Sequence, residues 1–299
     1  MENMTLFFGK KNVAKPFVVT CRRVITEAKE MYSNGRGFSI QNVFFKNPFV
    51  IVAQPTPLSF PSGRVGPRLL MYYKRITSLE PAVVVVGPAS VTAPRSRKYS
   101  LLRVDQPKYF DGVATLVKVI TVNGSKAGIQ LTYPAPVMNP LDWYRQPSLK
   151  SWSLSDFPPL SKMAQLFLKA CSRCVEAGFC YIELDLSQMP GLRLIWTSGK
   201  KSFFKDLFTK CQQCVKEEAV FAIRVDSRIP DRTELLDLFL NHGGDLIVFD
   251  EVVLCDKVPP EKSCYVQTNV NHLSQLLNSR RKTCVTGVRP DTLLSLVSS

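Results

Sequence analysis

Apolar residues recur in a repeating pattern between residues 160 and 250. Three times, a stretch with helical periodicity runs into a short apolar strand that ends at an aspartate. The three units cover residues 163–185, 203–226 and 235–250. Alternation of helix and strand at this spacing predicts an α/β layer with a largely parallel sheet for the second half of the chain.

The same periodicity predicts individual elements after residue 160. Helices are expected at residues 161–176, 201–217, 231–241, 270–280 and 290–297. Strands are expected at residues 179–186, 192–196, 219–225, 245–249, 252–255, 263–267 and 283–286.

Short apolar runs bounded by Pro, Gly or Asn dominate residues 69–133. They read LLMYY, AVVVV, YSLLRV, VATLVKVITV and AGIQLTY. Their β-branched and aromatic content, and a hairpin-type turn at Asn123-Gly124, predict an antiparallel sandwich or barrel. The Pro- and Trp-rich stretch 134–160 is the expected boundary. The predicted fold class is therefore α+β, with a basic β-rich domain over residues 1–150 and an α/β domain of helix–strand units over residues 151–299.

Positive charge is concentrated in the first half of the 299-residue chain. The net charge is +15, and residues 1–150 carry 21 Lys or Arg against 7 Asp or Glu, a net charge of +14. Such asymmetry indicates a basic face for nucleic acid or for an anionic membrane surface. The alternative is a basic protein with scattered lysines.

Aromatic residues are interleaved with the cations of this half, as on surfaces that bind single-stranded nucleic acid. The candidate nucleic-acid-binding residues are Lys74, Arg75, Arg95, Arg97, Lys98, Tyr99, Arg103 and Lys108. The alternative is that the tyrosines belong to the core and the cations are merely solvated.

Two Cys-x-x-Cys pairs, Cys171/Cys174 and Cys211/Cys214, have the internal spacing of zinc ligands. Both lie in predicted helices, where residues i and i+3 share one face. We therefore expect buried structural thiols, with a zinc site as the alternative, and predict no bound metal.

Aspartates end three of the predicted strands: Asp185, Asp226 and Asp250. If these strands are parallel neighbours, the carboxylates meet at one edge of the sheet, where they could hold Mg²⁺ for phosphodiester chemistry. Aspartates that merely terminate strands and cap helices are the alternative.

Signatures of cofactor enzymes are missing from the sequence. It holds no G-x-x-x-x-G-K-[ST], G-x-G-x-x-G or G-x-S-x-G motif, and only two histidines are available for nucleophilic chemistry. These absences predict a non-enzymatic protein without a cofactor. The odd number of cysteines and the missing secretory signal predict a protein with reduced thiols in the cytoplasm or nucleus. No apolar run reaches the roughly 20 residues that a membrane-spanning helix needs, so no transmembrane segment is expected.

Four segments between residues 69 and 186 resemble the thirty-kilodalton superfamily of plant-virus movement proteins. They are YYKRITSLEPAVVVVGP, YSLLRVD, AGIQLTYPAPVMNPLD and AGFCYIELDL. That family has a β-rich core in which an apolar strand closes on an aspartate, and Asp105 matches this position. The structured α/β region that follows departs from the family pattern. The resemblance implies cooperative binding of single-stranded RNA and a role at plasmodesmata, in the host cytoplasm or at the cell periphery.

The leading hypothesis from sequence is a non-enzymatic, basic accessory protein of viral movement type that binds single-stranded RNA. One alternative is a viral protein that antagonises antiviral signalling through contacts with host proteins. Another is a Mg²⁺-dependent nuclease built on the three strand-end aspartates. The oligomeric state stays open.

Overall fold

Parallel strands alternate with helices along most of the chain. The computed structural model describes residues 37–47, 49–53, 56, 58–78, 80–93, 101–134, 153–187, 190–226, 228–249, 263–267 and 284–288. The strands are β1 (Phe38–Ile40), β2 (Val43–Phe45), β3 (Phe49–Ile51), β4 (Val83–Ser90), β5 (Leu102–Arg103), β6 (Lys126–Thr132), β7 (Tyr181–Asp185), β8 (Val220–Val225), β9 (Leu246–Phe249), β10 (Ser263–Gln267) and β11 (Cys284–Val288). The helices are α1 (Pro67–Thr77), α2 (Phe110–Thr121), α3 (Leu160–Glu176), α4 (Pro190–Thr197), α5 (Lys201–Val215) and α6 (Arg232–Asn241).

Eight of these strands close into a barrel. In the order β3, β4, β6, β7, β8, β9, β10 and β11, each strand is the parallel neighbour of the next, and β11 pairs back onto β3. The short strand β5 adds a parallel pairing at the end of β4. A closed ring of eight parallel strands, with helices in the connections, is the architecture of the TIM barrel.

Side chains alternate between the two faces of the barrel wall. Val84, Ile129 and Ile182 belong to the cluster that packs against the helices. Val83 and Ala222 belong to a second cluster, which fills the lumen. Because helices cover one face and the lumen packing covers the other, β4, β7 and β8 are buried along their whole length.

A hairpin of β1 and β2 covers the amino end of the barrel. Its side chains Ile40, Val43 and Phe45 join the cluster that fills the lumen. Polar groups of the hairpin and of the turn after it hydrogen-bond to residues that precede barrel strands. The contacts are Gln41 with Asp245 at 2.7 Å, Asn42 with Glu217 at 2.7 Å, Lys46 with the Asn123 carbonyl at 3.1 Å, and Asn47 with the Glu80 carbonyl at 3.2 Å. The hairpin therefore closes the lumen from below.

The elements predicted after residue 160 agree well with those observed. The helix predicted over residues 161–176 is α3, and the strand predicted over residues 263–267 is β10. The strand predicted over residues 192–196 is wrong, since these residues lie in α4. The elements predicted over residues 252–255, 270–280 and 290–297 lie outside the described residues.

The antiparallel sandwich or barrel predicted for the first half is wrong. The run 69–73 lies in α1, the run 113–122 falls mostly in α2, and the turn at Asn123-Gly124 joins α2 to β6. In α2 the buried positions Val113, Leu116, Val117 and Ile120 follow the spacing of one helix face, which its β-branched content obscured. Strands β3, β4 and β6 are parallel members of the same barrel as β7 and β8, so the α+β fold class is replaced by α/β.

The boundary predicted at residue 150 falls between β6 and β7, which are hydrogen-bonded neighbours.

Within the residues the structure describes, no helix has the length and apolar character needed to cross a bilayer.

The closing hairpin carries two adjacent phenylalanines with opposite environments. Phe45 is 2% exposed in the lumen cluster, whereas Phe44 is 56% exposed. We expect Phe45→Ala to lower the free energy of unfolding by about 3–5 kcal/mol, because it leaves a cavity in the barrel floor. The control Phe44→Ala should change it by less than about 0.5 kcal/mol. Urea denaturation followed by circular dichroism measures both, and equal effects would show that the hairpin does not seal the lumen.

Candidate functional site at the carboxyl end of the barrel

Polar side chains occupy the lumen above its apolar floor. Gln130 on β6, Glu183 on β7 and Arg224 on β8 come from three adjacent strands and are fully buried. The Gln130 Nε2 group donates a hydrogen bond to Glu183 Oε1 at 2.7 Å. From below, the Tyr181 hydroxyl donates to Glu183 Oε2 at 2.8 Å. The carboxylate of Glu183 is thus held from two sides.

Arg224 brings a positive charge into this layer. Its Nη1 atom lies 3.9 Å from Glu183 Oε1 and donates to the Ala53 carbonyl at 3.3 Å. Since Ala53 follows β3, the guanidinium reaches across the lumen from β8 to the opposite wall. A buried cation needs a partner and further hydrogen bonds, because desolvation is costly. Glu183 and the Ala53 carbonyl, both contacted through Nη1, contribute to that compensation.

Two buried acceptors in β6 have no hydrogen-bond partner within the described part of the chain: Gln130 Oε1 and Thr132 Oγ1. Thr132 lies two residues beyond Gln130, and therefore on the same face of the strand and closer to its carboxyl end. Buried polar atoms are almost always hydrogen-bonded. Ligand sites of TIM barrels lie at this end of the barrel. The two oxygen atoms are therefore candidates for hydrogen bonds with a ligand at this end of the barrel.

A bulge in β4 shapes the wall beside Gln130. The register between β4 and β6 shifts between Val86 and Ala89. Gly87, within this shift, has a φ of +125°, and a Cβ there would come 2.8 Å from the Gln130 carbonyl oxygen. Only glycine fits a position with both this backbone conformation and this close approach. The bulge lets β4 stay close to β6 next to the polar layer.

The rim of the barrel carries charged side chains at the ends of β7 and β8. Asp185 ends β7, and its Oδ1 atom accepts hydrogen bonds from the Ser187 amide at 3.0 Å and the Ser187 hydroxyl at 3.2 Å. Asp226 follows β8, and its carboxylate accepts from the Arg228 amide at 2.9 Å and from Arg228 Nε at 2.8 Å. Arg228 Nη2 also contacts Asp226 and donates to the Ser187 carbonyl at 2.9 Å. The carboxylates are therefore well supplied with donors.

The predicted aspartate cluster is only partly formed. Asp185 and Asp226 do come to one edge of the sheet, but the register places Asp185 opposite Arg224. Asp250 lies outside the described residues. No group of three potential metal ligands occurs in the part of the chain that the structure describes. The arrangement of Asp185 and Asp226 is that of hydrogen-bonded rim residues.

The basic residues singled out from the sequence do not share one environment. Lys74 and Arg75 are exposed in the last turn of α1. Arg103 donates two hydrogen bonds to Asp105, at 2.9 and 2.7 Å, and its guanidinium lies 4.8 Å from the centre of the Tyr109 ring. The hydrogen bond with Asp105 raises the pKa of Arg103. Asp105, predicted as a family motif residue, is thus an ion-pair partner.

Lys108 is exposed, and its ammonium lies 5.3 Å from the centre of the Tyr109 ring. The remaining predicted residues, Arg95, Arg97, Lys98 and Tyr99, lie outside the described residues.

The two Cys-x-x-Cys pairs meet where α3 packs on α5. The sulfur atoms of Cys171 and Cys211 are 3.7 Å apart, and both thiols are free and buried. Burial raises the pKa of Cys174 well above its ordinary value. The hydrogen bond with Cys171, together with burial, does the same for Cys211. The pairs are part of the helix packing.

Comparison with protein-family profiles found no match to this sequence, and comparison with curated proteins found none either. Solved structures do match. Old Yellow Enzyme from a Pichia species has a TM-score of 0.67 at 10% identity, covering 89% of this chain and 86% of that chain. The chain has a fold similar to that of old yellow enzyme.

Two further solved structures match over the same extent. Morphinone reductase in complex with tetrahydroNAD has a TM-score of 0.63 at 11% identity, covering 88% of this chain and 89% of that chain. Histamine dehydrogenase from a Rhizobium species has a TM-score of 0.63 at 15% identity over 88% of this chain. The chain spans only 46% of that dehydrogenase. At these identities the likeness establishes the fold.

These matches overturn the functional hypothesis drawn from the sequence. The similar structures are TIM-barrel oxidoreductases, so the resemblance to plant-virus movement proteins is wrong. The predictions of a non-enzymatic protein and of single-stranded RNA as partner are wrong for the same reason. The host-interaction and nuclease alternatives fail with them.

Sequence reasoning missed the three residues of the polar layer. Each is a single polar residue inside an apolar strand: Gln130 in KAGIQLT, Glu183 in YIELD and Arg224 in VFAIRV. The signal available in the sequence is a charged or amide side chain near the carboxyl end of a strand that is otherwise apolar on both faces. It becomes informative only once the strands are known to surround one lumen.

The buried pair of Glu183 and Arg224 can be tested through stability. We expect Glu183→Gln to lower the free energy of unfolding by about 3–5 kcal/mol, because it leaves the charge of Arg224 uncompensated. The matched control is Asp206→Asn, which breaks the exposed pair with Lys210 on α5 and should cost less than about 1 kcal/mol. Urea denaturation compares them. A Glu183→Gln protein as stable as the control variant would contradict the described pairing.

The buried thiols can be tested through their reactivity. Because the thiolate is the reactive form, and the pKa values of Cys174 and Cys211 are raised, these thiols should stay unmodified by iodoacetamide in the folded protein at pH 7. Peptide mapping by mass spectrometry measures the modification, and the same reaction in urea is the control. Labelling of Cys211 at equal rates in both states would contradict its position between α3 and α5.

Proposed function

We propose that this protein is an oxidoreductase that binds a flavin at the carboxyl end of its barrel. In this proposal it transfers electrons from a reduced nicotinamide to a small substrate. The observation that carries the proposal is the buried polar layer of Gln130, Glu183 and Arg224, with unpaired acceptors at Gln130 Oε1 and Thr132 Oγ1. The likeness to flavin oxidoreductases supports it, as does the tetrahydroNAD in the morphinone reductase complex.

The residues present fit the polar edge of a flavin ring, which carries carbonyl oxygens and an N–H group. Gln130 Oε1 can accept a hydrogen bond from a ring N–H. The Thr132 hydroxyl can donate to a ring carbonyl, while Arg224 supplies positive charge nearby. A bound flavin would supply hydride-transfer chemistry, and the protein would supply binding, orientation and electrostatics.

Arg224 is suited to stabilise negative charge on such a ligand. Its guanidinium is already fixed by Glu183 and the Ala53 carbonyl, so it needs no reorganisation when charge develops above it. The lumen beneath is filled by apolar side chains and covered by the hairpin, which keeps water away from below. In such surroundings electrostatic interactions are stronger than in bulk water.

The Thr132 hydroxyl offers a direct test of flavin binding. We expect the wild-type protein to quench the fluorescence of added flavin mononucleotide or flavin adenine dinucleotide. Thr132→Val should weaken this binding about tenfold, the effect of one lost hydrogen bond of about 1.4 kcal/mol. Its stability without ligand should not fall, because Thr132 Oγ1 has no partner among the described residues.

The matched control is Ser125→Ala, which removes another buried hydroxyl, one that donates to the Pro81 carbonyl at the amino end. This variant should keep wild-type flavin affinity. Absence of binding of both flavins to the wild-type protein would overturn the proposal, as would bleaching of neither flavin by NADH or NADPH under anaerobic conditions.

A further inference from the structure

Helix α4 lies across the carboxyl end of the barrel. At its start, a Cβ on Gly191 would come 2.9 Å from the carbonyl oxygen of Tyr133, which follows β6. Near its end, Trp196 Nε1 donates to the carbonyl of Pro230, in the segment after β8, at 2.8 Å. The helix therefore spans the rim from β6 to β8. Arg193 lies on α4 between these two contacts.

Arg193 is a partly buried cation that lacks an ion pair within the described residues. Its Nε atom is buried and has no hydrogen-bond partner there. Burial lowers the pKa of Arg193, the charge of Arg228 lowers it further, and Asp226 opposes both effects. The guanidinium thus lies in surroundings that disfavour its charge, and an added anion would relieve this.

The nearby carboxylates are engaged by other donors. Asp226 accepts from Arg228, and Asp185 accepts from Ser187. A third guanidinium, that of Arg232, lies 3.4 Å from the Asp226 carbonyl oxygen. The segments after β7 and β8 therefore bring together the guanidinium groups of Arg193, Arg228 and Arg232, with the carboxylate of Asp231 beside Arg232. Of these three groups, the guanidinium of Arg193 has no ion-pair partner and a buried Nε atom without a hydrogen bond within the described residues.

We infer that Arg193, with Arg228 beside it, binds the anionic group of the ligand that meets the flavin, either a carboxylate or a phosphate. The inference rests on the proposed function, since it assigns a ligand class to the same end of the barrel. A guanidinium is planar and presents its N–H groups as a fork that matches the oxygens of both anions. The ligand is then a small acid or a phosphorylated nucleotide, oriented by its charged end at the rim.

Isothermal titration of the full-length protein tests this inference, with benzoate and inorganic phosphate as probes and benzamide as the uncharged comparison. We expect at least one anion to bind, and Arg193→Gln to weaken that binding about tenfold. The control Lys118→Gln removes an exposed positive charge from α2 and should leave the affinity unchanged. Binding of phosphate alone would assign the site to a nucleotide phosphate, and binding of benzoate alone to a substrate carboxylate.

Loss of affinity in Arg193→Gln with an unchanged urea midpoint supports the inference, because no ion pair within the described residues is broken. Equal affinity in the wild-type and Arg193→Gln proteins would overturn it. So would equal binding of benzamide and benzoate, or no binding of either anion.

Flavin titration of the same samples separates the two proposals. Flavin binding without anion binding overturns only the anion site. Anion binding without flavin binding overturns only the flavin assignment.

Discussion

The charge of Arg224 is buried inside the barrel, and the arrangement of the lumen depends on its compensation. A guanidinium without solvent must find a carboxylate, which here is Glu183 at 3.9 Å. That carboxylate in turn needs donors, which Gln130 and Tyr181 provide. Compensation of this one buried cation thus involves contacts among side chains from three adjacent strands. It also explains why polar residues occupy positions that apolar side chains could otherwise fill.

Closure of the sheet makes this compensation effective. Because β11 pairs with β3 and β3 with β4, the eight barrel strands have no free edge and enclose one lumen. Apolar side chains and the hairpin fill its lower part, and the polar layer lies above them. The lumen is therefore apolar at the amino end and charged at the rim. This difference in polarity makes the carboxyl end the part of the barrel suited to binding a polar ligand.

Much of the second half of the fold could be predicted from sequence, and the first half could not. In α3 and α5 the apolar spacing is clearly helical and the following strands are short and apolar, so both types of element were identified. In α2 the buried face consists largely of valine and isoleucine, which favour strands, so composition outweighed periodicity. The run 69–73 of α1 was also counted as a strand, and two helices counted as strands leave no crossover connections for a parallel sheet, so an antiparallel sheet was predicted.

The candidate site was harder to predict than the fold. Asp185 and Asp226 could be found because they end strands, where sites of α/β proteins commonly lie. Gln130, Glu183 and Arg224 lie within strands, and their proximity depends on a closed ring that no local pattern reveals. The excess of lysine and arginine pointed toward polyanions. Yet Arg224 lies inside the barrel, and Arg103 and Arg228 form ion pairs with neighbouring aspartates.

The hairpin beneath the lumen has a kinetic consequence. Because its side chains Val43 and Phe45 pack among the barrel residues, the described part of the chain closes the lumen at the amino end. A ligand that reaches the polar layer must then arrive and leave at the carboxyl end of the barrel. Under the proposed flavin function, the electron donor and the electron acceptor would therefore use the same entrance in turn.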